Sequence, residues 1–138
     1  MYFYIEPEVS GGLGGNTVAD ETVHPPVVSK LNYLFDGWLG DDLLESFPCY
    51  VVSERLKSEL MNSELLGFVI DVLEVTKSDQ FDELYPGKEL PEFYWLKITG
   101  QAGNDDFGIA SDLRLVVSDK ALGVLRRCSV EQADLEEF

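Results

Sequence analysis

One short segment that joins a strand to a helix occurs twice in the chain, 65 residues apart. The copies are Val51-Val52-Ser53-Glu54-Arg55 and Val116-Val117-Ser118-Asp119-Lys120. In each copy the serine can accept a hydrogen bond from a free N–H of the first helical turn, and the acid after it complements the positive end of the helix dipole. Two independent uses of good capping chemistry and an old duplication both explain the match. Both also require strands and helices in one mixed fold.

The rest of the chain extends this pattern. Alternating and β-branched segments predict strands, and serines or aspartates before apolar residues at helical spacing predict helices. The predicted strands cover 2–5, 27–28, 31–35, 48–52, 68–75, 93–99 and 113–117, and the predicted helices cover 43–46, 54–65, 78–84 and 119–127. Residues 10–16 and 100–108 are predicted to be loops, because they are rich in glycine and polar residues. We therefore predict a single α+β domain over residues 1–138, with a mixed or mostly antiparallel sheet and two to four short helices.

The charge balance excludes several classes of partner. The 138 residues hold 26 acids and 10 bases, a net charge of −16, so phosphates of nucleic acids and anionic membranes would be repelled. An apolar content of 45% argues against disorder, and no apolar run approaches the roughly 20 residues of a membrane span. The first residues carry acids and no basic cluster, so no signal peptide is expected. Cys49 and Cys128 are accordingly expected to be reduced thiols in a cytoplasmic protein.

Familiar catalytic motifs are absent or incomplete. The glycine cluster at 11–15 lacks both the Lys-Ser/Thr ending of a P-loop and the spacing of a dinucleotide fingerprint. Asp106-Phe107-Gly108 spells the kinase metal-binding triplet without its companion motifs. His24 is the single histidine, and no ligand spacing points to a zinc site. We expect no catalytic residues, no cofactor and no metal.

The acid pairs are the one abundant raw material for chemistry. Asp41-Asp42 and Asp105-Asp106 could each hold a divalent cation or share acid–base work. A cap for the helix predicted at 43–46 and a polar turn explain them more simply. Adjacent acids are also expected in so acidic a chain.

Aromatic residues and the acidic C-terminal segment are candidates for a binding surface. A strand through Phe93-Tyr94-Trp95-Leu96 must direct bulky side chains to both faces, one of which is core. Trp38 is a further candidate anchor, since aromatics rimmed by acids resemble a protein–protein hot spot. Residues 131–138 are predicted to be a solvated tail. The candidate partner-binding residues are Trp38, Asp41, Asp42, Asp105, Asp106, Glu136 and Glu137.

Several segments together resemble a known bacterial family over most of residues 30–126. The family is the immunity-protein family of polymorphic toxin systems that was first described in a myxobacterial protein of unknown function. The segments that carry the resemblance are Trp38-Leu39-Gly40-Asp41-Asp42-Leu43, Val51-Val52-Ser53-Glu54-Arg55-Leu56, Gly67-Phe68, Phe93-Tyr94-Trp95-Leu96 and Leu115-Val116-Val117-Ser118-Asp119-Lys120-Ala121-Leu122.

The resemblance implies a small cytoplasmic protein without catalytic residues that binds and blocks a cognate toxin domain. An acidic surface suits a basic partner, because complementary charge speeds encounter and selects partners. Two alternatives stay open at this point. One is an acidic adaptor or nucleic-acid mimic, and the other, less favoured, is an enzyme that uses carboxylates and a divalent metal.

Overall fold

The computed structural model describes residues 1–138 and contains thirteen strands and three helices. The strands are β1 (Tyr2–Glu6), β2 (Gly11–Leu13), β3 (Val18–Asp20), β4 (Val27–Lys30), β5 (Asn32–Phe35), β6 (Leu43–Ser46), β7 (Cys49–Ser53), β8 (Phe68–Asp71), β9 (Glu74–Lys77), β10 (Phe93–Ile98), β11 (Phe107–Ile109), β12 (Leu115–Ser118) and β13 (Asp134–Glu137). The helices are α1 (Glu54–Met61), α2 (Asp79–Leu84) and α3 (Asp119–Leu125). The α+β class, with mostly antiparallel sheets, is confirmed.

The strands form two four-stranded sheets and two smaller ones. Sheet 1 has the order β6-β7-β10-β8, and sheet 2 has the order β11-β12-β1-β13. Every pairing within these two sheets is antiparallel. A three-stranded sheet, β2-β5-β9, contains the parallel pair β5–β9, and β3 pairs with β4 as a hairpin.

Sheets 1 and 2 match strand for strand. In each, a hairpin (β6–β7 or β11–β12) leads through a serine N-cap into a helix, and the chain then returns to the far edge of a sheet as β8 or β13. Ser53 accepts from the N–H of Leu56 at 3.2 Å, and Ser118 accepts from the N–H of Ala121 at 3.0 Å. The predicted strand–serine–helix repeat is thus part of a larger repeated unit.

The two units exchange one strand. Taken in chain order, the first repeat is β1, β6, β7, α1 and β8, and the second is β10, β11, β12, α3 and β13. The first strand of each repeat lies in the other repeat's sheet, because β1 pairs with β12 and β13, whereas β10 pairs with β7 and β8. Neither four-stranded sheet is therefore complete without both repeats.

Two apolar cores lie on either side of sheet 1. The first packs between sheets 1 and 2 and helices α1 and α3, and it takes Tyr94 and Leu96 from β10. The second takes Phe93 and Trp95 from the other side of β10 and packs them against β5 and α2. The prediction that this aromatic run serves both faces of its strand is confirmed.

Five local predictions are wrong. The predicted strand at 68–75 is two strands in different sheets, since β8 ends at Asp71 and β9 begins at Glu74. Residues 43–46 form strand β6 rather than a helix, because the hairpin with β7 buries Leu43 and Leu44 on opposite faces. The glycine-rich segment contains strand β2, where Gly11 lies too close to the Leu34 carbonyl to carry a side chain. Helix α1 ends at Met61, well before residue 65. The acidic tail includes β13, which pairs with β1.

Candidate functional site

Asp42 and Asp106 hold equivalent positions in the two repeats. Asp42 accepts from the Ser53 hydroxyl at 2.6 Å, and Asp106 accepts from the Ser118 hydroxyl at 2.7 Å. The second oxygen of each carboxylate accepts a backbone N–H just after the other repeat's helix, from Ser129 for Asp42 and from Leu66 for Asp106. Each aspartate thus links the start of its own repeat's helix to the end of the other's.

Asp41 fixes the segment that leads into β13. Its carboxylate accepts the N–H groups of Glu131 and Gln132 at 3.0 and 2.8 Å, and its carbonyl accepts from the Trp38 indole at 2.8 Å. Nearby, the buried Glu8 carboxylate accepts the N–H of Asp41 at 3.2 Å. Asp41 is therefore committed to internal contacts.

The two neighbouring aspartates have opposite pKa shifts. Burial, together with the nearby Glu8 and Glu131 carboxylates, raises the pKa of Asp41 despite the lowering effect of its two backbone hydrogen bonds. Burial also raises the pKa of Asp42, but hydrogen bonds from Ser53, Arg55 and Ser129 outweigh it, so this pKa lies below its ordinary value. Arg55 forms an ion pair with Asp42 at 2.5 Å. The fold therefore stabilises the ionised form of Asp42 and destabilises the ionised form of Asp41.

These contacts correct the expectation that both acid pairs belong to a binding surface. Asp41 and Asp42 are only 2% and 5% exposed, because they link segments inside the fold. Asp106 is half-buried in its own link, and Asp105 accepts the Gln101 N–H at 2.7 Å inside the polar turn. The proposed helix cap is replaced by a link to the N-cap serine of a helix that begins later.

The outer face of sheet 2, which points away from the first core, carries the most distinctive surface. Phe138 makes edge contacts with Tyr2 and Tyr4, at ring-centre distances of 6.5 and 5.2 Å. The Arg114 guanidinium stacks 3.6 Å from the centre of the Tyr4 ring. Phe138 is half exposed. We use the term outer face for the surface formed by Tyr2, Tyr4, Glu6, Arg114, Asp134, Glu136 and Phe138.

Charge on the outer face is unbalanced. Arg114 is held by Asp112 and Glu136, each at 2.7 Å, and these contacts raise its pKa. Glu6 stands directly opposite Asp134 in the β1–β13 register, and neither carboxylate has an ion-pair partner. Like charges directly opposite one another destabilise a sheet. A cation placed between them would relieve this repulsion.

The matching face of sheet 1 is covered. Its aromatic Trp95 takes the place of Tyr4, and Lys97 stacks 4.4 Å from the Trp95 ring centre while pairing with Asp71 at 2.6 Å. Trp95 lies opposite Asp71 in register, as Tyr4 lies opposite Glu136. The second core covers much of this face, and Trp95 is only 6% exposed. On sheet 2 the turn at 101–104 covers the β11–β12 side of the outer face, where Val116 is fully buried, and the β1–β13 side stays partly exposed.

Of the predicted binding residues, only Glu136 lies on this surface. Glu136 lies on the outer face, and Glu137 is exposed on the opposite side of β13. Trp38 lies elsewhere, half-buried against Phe93 of the second core. Sequence reasoning missed Tyr2, Tyr4, Arg114 and Phe138. The apolar Leu135 and Phe138 among the tail acids were the available signal of a strand.

The remaining candidate groups are not assembled into a site. His24 lies near Phe47 in an exposed turn, and Cys49 and Cys128 are free thiols. Burial raises the pKa of Cys49 to about 12, which disfavours a reactive thiolate. No group of three or more His, Cys, Asp or Glu side chains is placed to hold a metal ion. None of the three helices has the length and apolarity to cross a bilayer.

The fold and this surface define an α+β protein made of two interlocked repeats with one open, acidic and aromatic sheet face. Comparison with protein-family models, with curated proteins and with solved structures gives no match. The resemblance to the immunity-protein family therefore stays a prediction from sequence.

Proposed function

We propose that this chain is a cytoplasmic, non-enzymatic immunity protein that binds a basic toxin domain and neutralises it. The observation that carries the proposal is the outer face of sheet 2, where exposed aromatic surface adjoins carboxylates that lack cations. Aromatic anchors inside a polar rim are typical of binding hot spots. The net charge of −16 adds long-range attraction for a basic partner.

Glu6 and Asp134 are the proposed binding site for a cationic side chain of the partner. In the free protein these carboxylates repel each other across the strand pair. A lysine or arginine from the partner would neutralise both, while Tyr4 and Phe138 would supply apolar contact. Such a partner is a protein with a basic cleft, as a nuclease toxin has for its phosphate substrate.

The test begins with capture of tagged protein from lysate of its own source cells at low salt and at about 0.5 M salt, where the Debye length falls to a few ångström. A basic partner identified by mass spectrometry is then purified, and its activity and its toxicity on expression are measured with and without this chain. We expect the chain to abolish both. A captured partner that is acidic, or one whose activity the chain leaves unchanged, would contradict neutralisation and favour the adaptor function.

A single substitution locates the interface. Asp134→Lys converts the repelling pair with Glu6 into an attracting one, so the free protein should gain about 0.5 kcal/mol of stability. The same change should lower the association rate with the toxin about tenfold. Glu21→Lys, in the exposed turn between β3 and β4, is the matched control for net charge. Equal association rates for the two variants would exclude the outer face as the binding surface.

A further inference from the structure

A groove of about 610 Å³ opens beside β10, remote in sequence from the outer face of sheet 2. Most of its lining is apolar, and three charged side chains stand at its margins. We call it the fork groove, and its lining comes from residues 72–77 and 89–94.

The fork groove exists because two strands diverge. β8 pairs with β10 only as far as the Asp71–Trp95 pair, and the chain then turns away through Val72 and Leu73 to join β5 as β9. The start of β10 at Phe93 consequently loses its neighbour on that side.

The second repeat shows what this position accommodates. There the strand equivalent to β8 continues by one more pair, and the N–H of Phe138 donates to the carbonyl of Tyr2 at 3.0 Å. Leu73 and Phe93 occupy the equivalent positions, and no hydrogen bond joins them. On the β7 side, the Glu92 carbonyl accepts the N–H of Glu54. Because successive residues of a strand direct their N–H and C=O groups to opposite sides, those of Phe93 point away from β7 and into the groove.

A second open strand edge faces the same groove. β9 is the edge strand of its sheet. The N–H groups of Glu74 and Ser78 donate to Leu31 and Phe35 on the β5 side. Because successive backbone groups alternate in direction, those of Val75 point away from β5. Open strand edges that flank apolar side chains are the elements used in recognition by strand addition.

We propose that the fork groove binds an extended peptide segment of another protein, which pairs with β10 at Phe93 in the way that Phe138 pairs with Tyr2. The apolar lining from Val72, Val75 and Leu90 accepts alternate apolar side chains of that segment. Glu89 and Glu92 at the margin favour lysine or arginine at the intervening positions of the peptide. The one cation of the groove, Lys77, already donates to the Lys88 carbonyl at 3.0 Å. The proposal does not depend on toxin neutralisation.

The test uses a synthetic probe with the sequence Lys-Val-Lys-Phe-Lys-Val, acetylated and amidated at its ends, titrated into the ¹⁵N-labelled full chain. We expect saturable amide shift changes concentrated at residues 72–77 and 89–94. N-methylation of alternate peptide nitrogens leaves the side chains intact but removes the donors, so affinity should fall at least about tenfold.

Two variants check the charge preference. Glu89→Lys should weaken binding of the probe about fivefold, whereas Glu21→Lys, an equal charge change outside the groove, should leave it within about twofold. Equal affinity for the N-methylated probe, shift changes at another surface, or no saturable change up to about 1 mM probe would overturn the proposal.

Discussion

Sheets 1 and 2 have corresponding strand orders but differ in what covers the face that points away from the first core. In sheet 1 the aromatic–cation–carboxylate trio of Trp95, Lys97 and Asp71 lies beside a second apolar core. In sheet 2 Tyr4, Arg114 and Glu136 form a similar group with the cation on a different strand, and this group is partly exposed. Because the strand orders correspond, the difference comes from the further elements that pack on sheet 1, chiefly β5 and α2. One face is part of a core, and its counterpart is partly exposed.

The largest expected effect concerns the seam between the repeats at Gly67. Gly67 has φ +103, and a Cβ there would lie 2.2 Å from the Phe107 carbonyl oxygen. We expect Gly67→Ala to cost about 3–5 kcal/mol of unfolding free energy, measured by urea denaturation.

Gly40→Ala isolates the steric part of this cost. Gly40 has a similar φ of +106 but open space around it, so only the backbone penalty of about 1–2 kcal/mol is expected. Equal losses of unfolding free energy at the two positions would show that the backbone at Phe107 can move away from a Cβ on residue 67 at little cost.

The second prediction compares the equivalent links made by Asp42 and Asp106. Asp42→Ala should cost about 2–4 kcal/mol, because it removes a buried carboxylate that satisfies Ser53, Arg55 and the Ser129 N–H. Asp106→Ala should cost about 1–2 kcal/mol, since its partner Leu66 is exposed and water can replace the bond. Thermal unfolding of both variants decides the order, and a reversed order would contradict the argument that burial of the partners sets the cost of losing each link.

The third prediction concerns pH. The pKa of Asp42 is lower in the folded state, so its contribution is fully present above the unfolded value near 3.9 and is lost as pH falls through the folded pKa. The pKa of Asp41 is raised on folding, so its contribution grows as pH falls from the folded pKa toward about 3.9.

Asparagine substitutions separate the pH ranges in which Asp41 and Asp42 affect stability. Asp42→Asn should flatten the loss of stability below about pH 4, and Asp41→Asn should change the slope just above it. Chemical denaturation at closely spaced pH values measures both slopes. Identical slopes in the two variants would contradict the opposite environments of these neighbours.

The sequence predicted most of the repeated core and little of the exposed site. The serine caps and the two-faced strand at 93–96 depend on local chemistry, which sequence displays directly. The exchange of β1 and β10 depends on pairing across most of the chain, which no local pattern encodes. For the same reason Tyr4 and Arg114 were missed, and Asp42 was interpreted as a surface acid although its partners lie as far away as Ser129.

The smallest expected effect compares the two stacked cations. Arg114→Ala should lower the stability slightly and Lys97→Ala less, because Arg114 stacks closer to its ring and binds two carboxylates. Differential scanning calorimetry of both variants at about 0.1 M salt resolves the order, and high salt should narrow the gap. A larger loss from Lys97→Ala would show that burial of the ring matters more than the geometry of the cation.

The strand exchange between repeats also governs how the chain reaches this fold. Tyr4 has its register partners in Val116 and Glu136, so closing sheet 2 requires contacts between residues far apart in the chain. Contacts of that span are formed against a large loop-closure entropy, which slows folding. During synthesis β1 leaves the ribosome early and stays unpaired until β12 has been made. We therefore expect the two repeats to fold together in one slow cooperative step after most of the chain has been made. We do not expect them to fold one after the other.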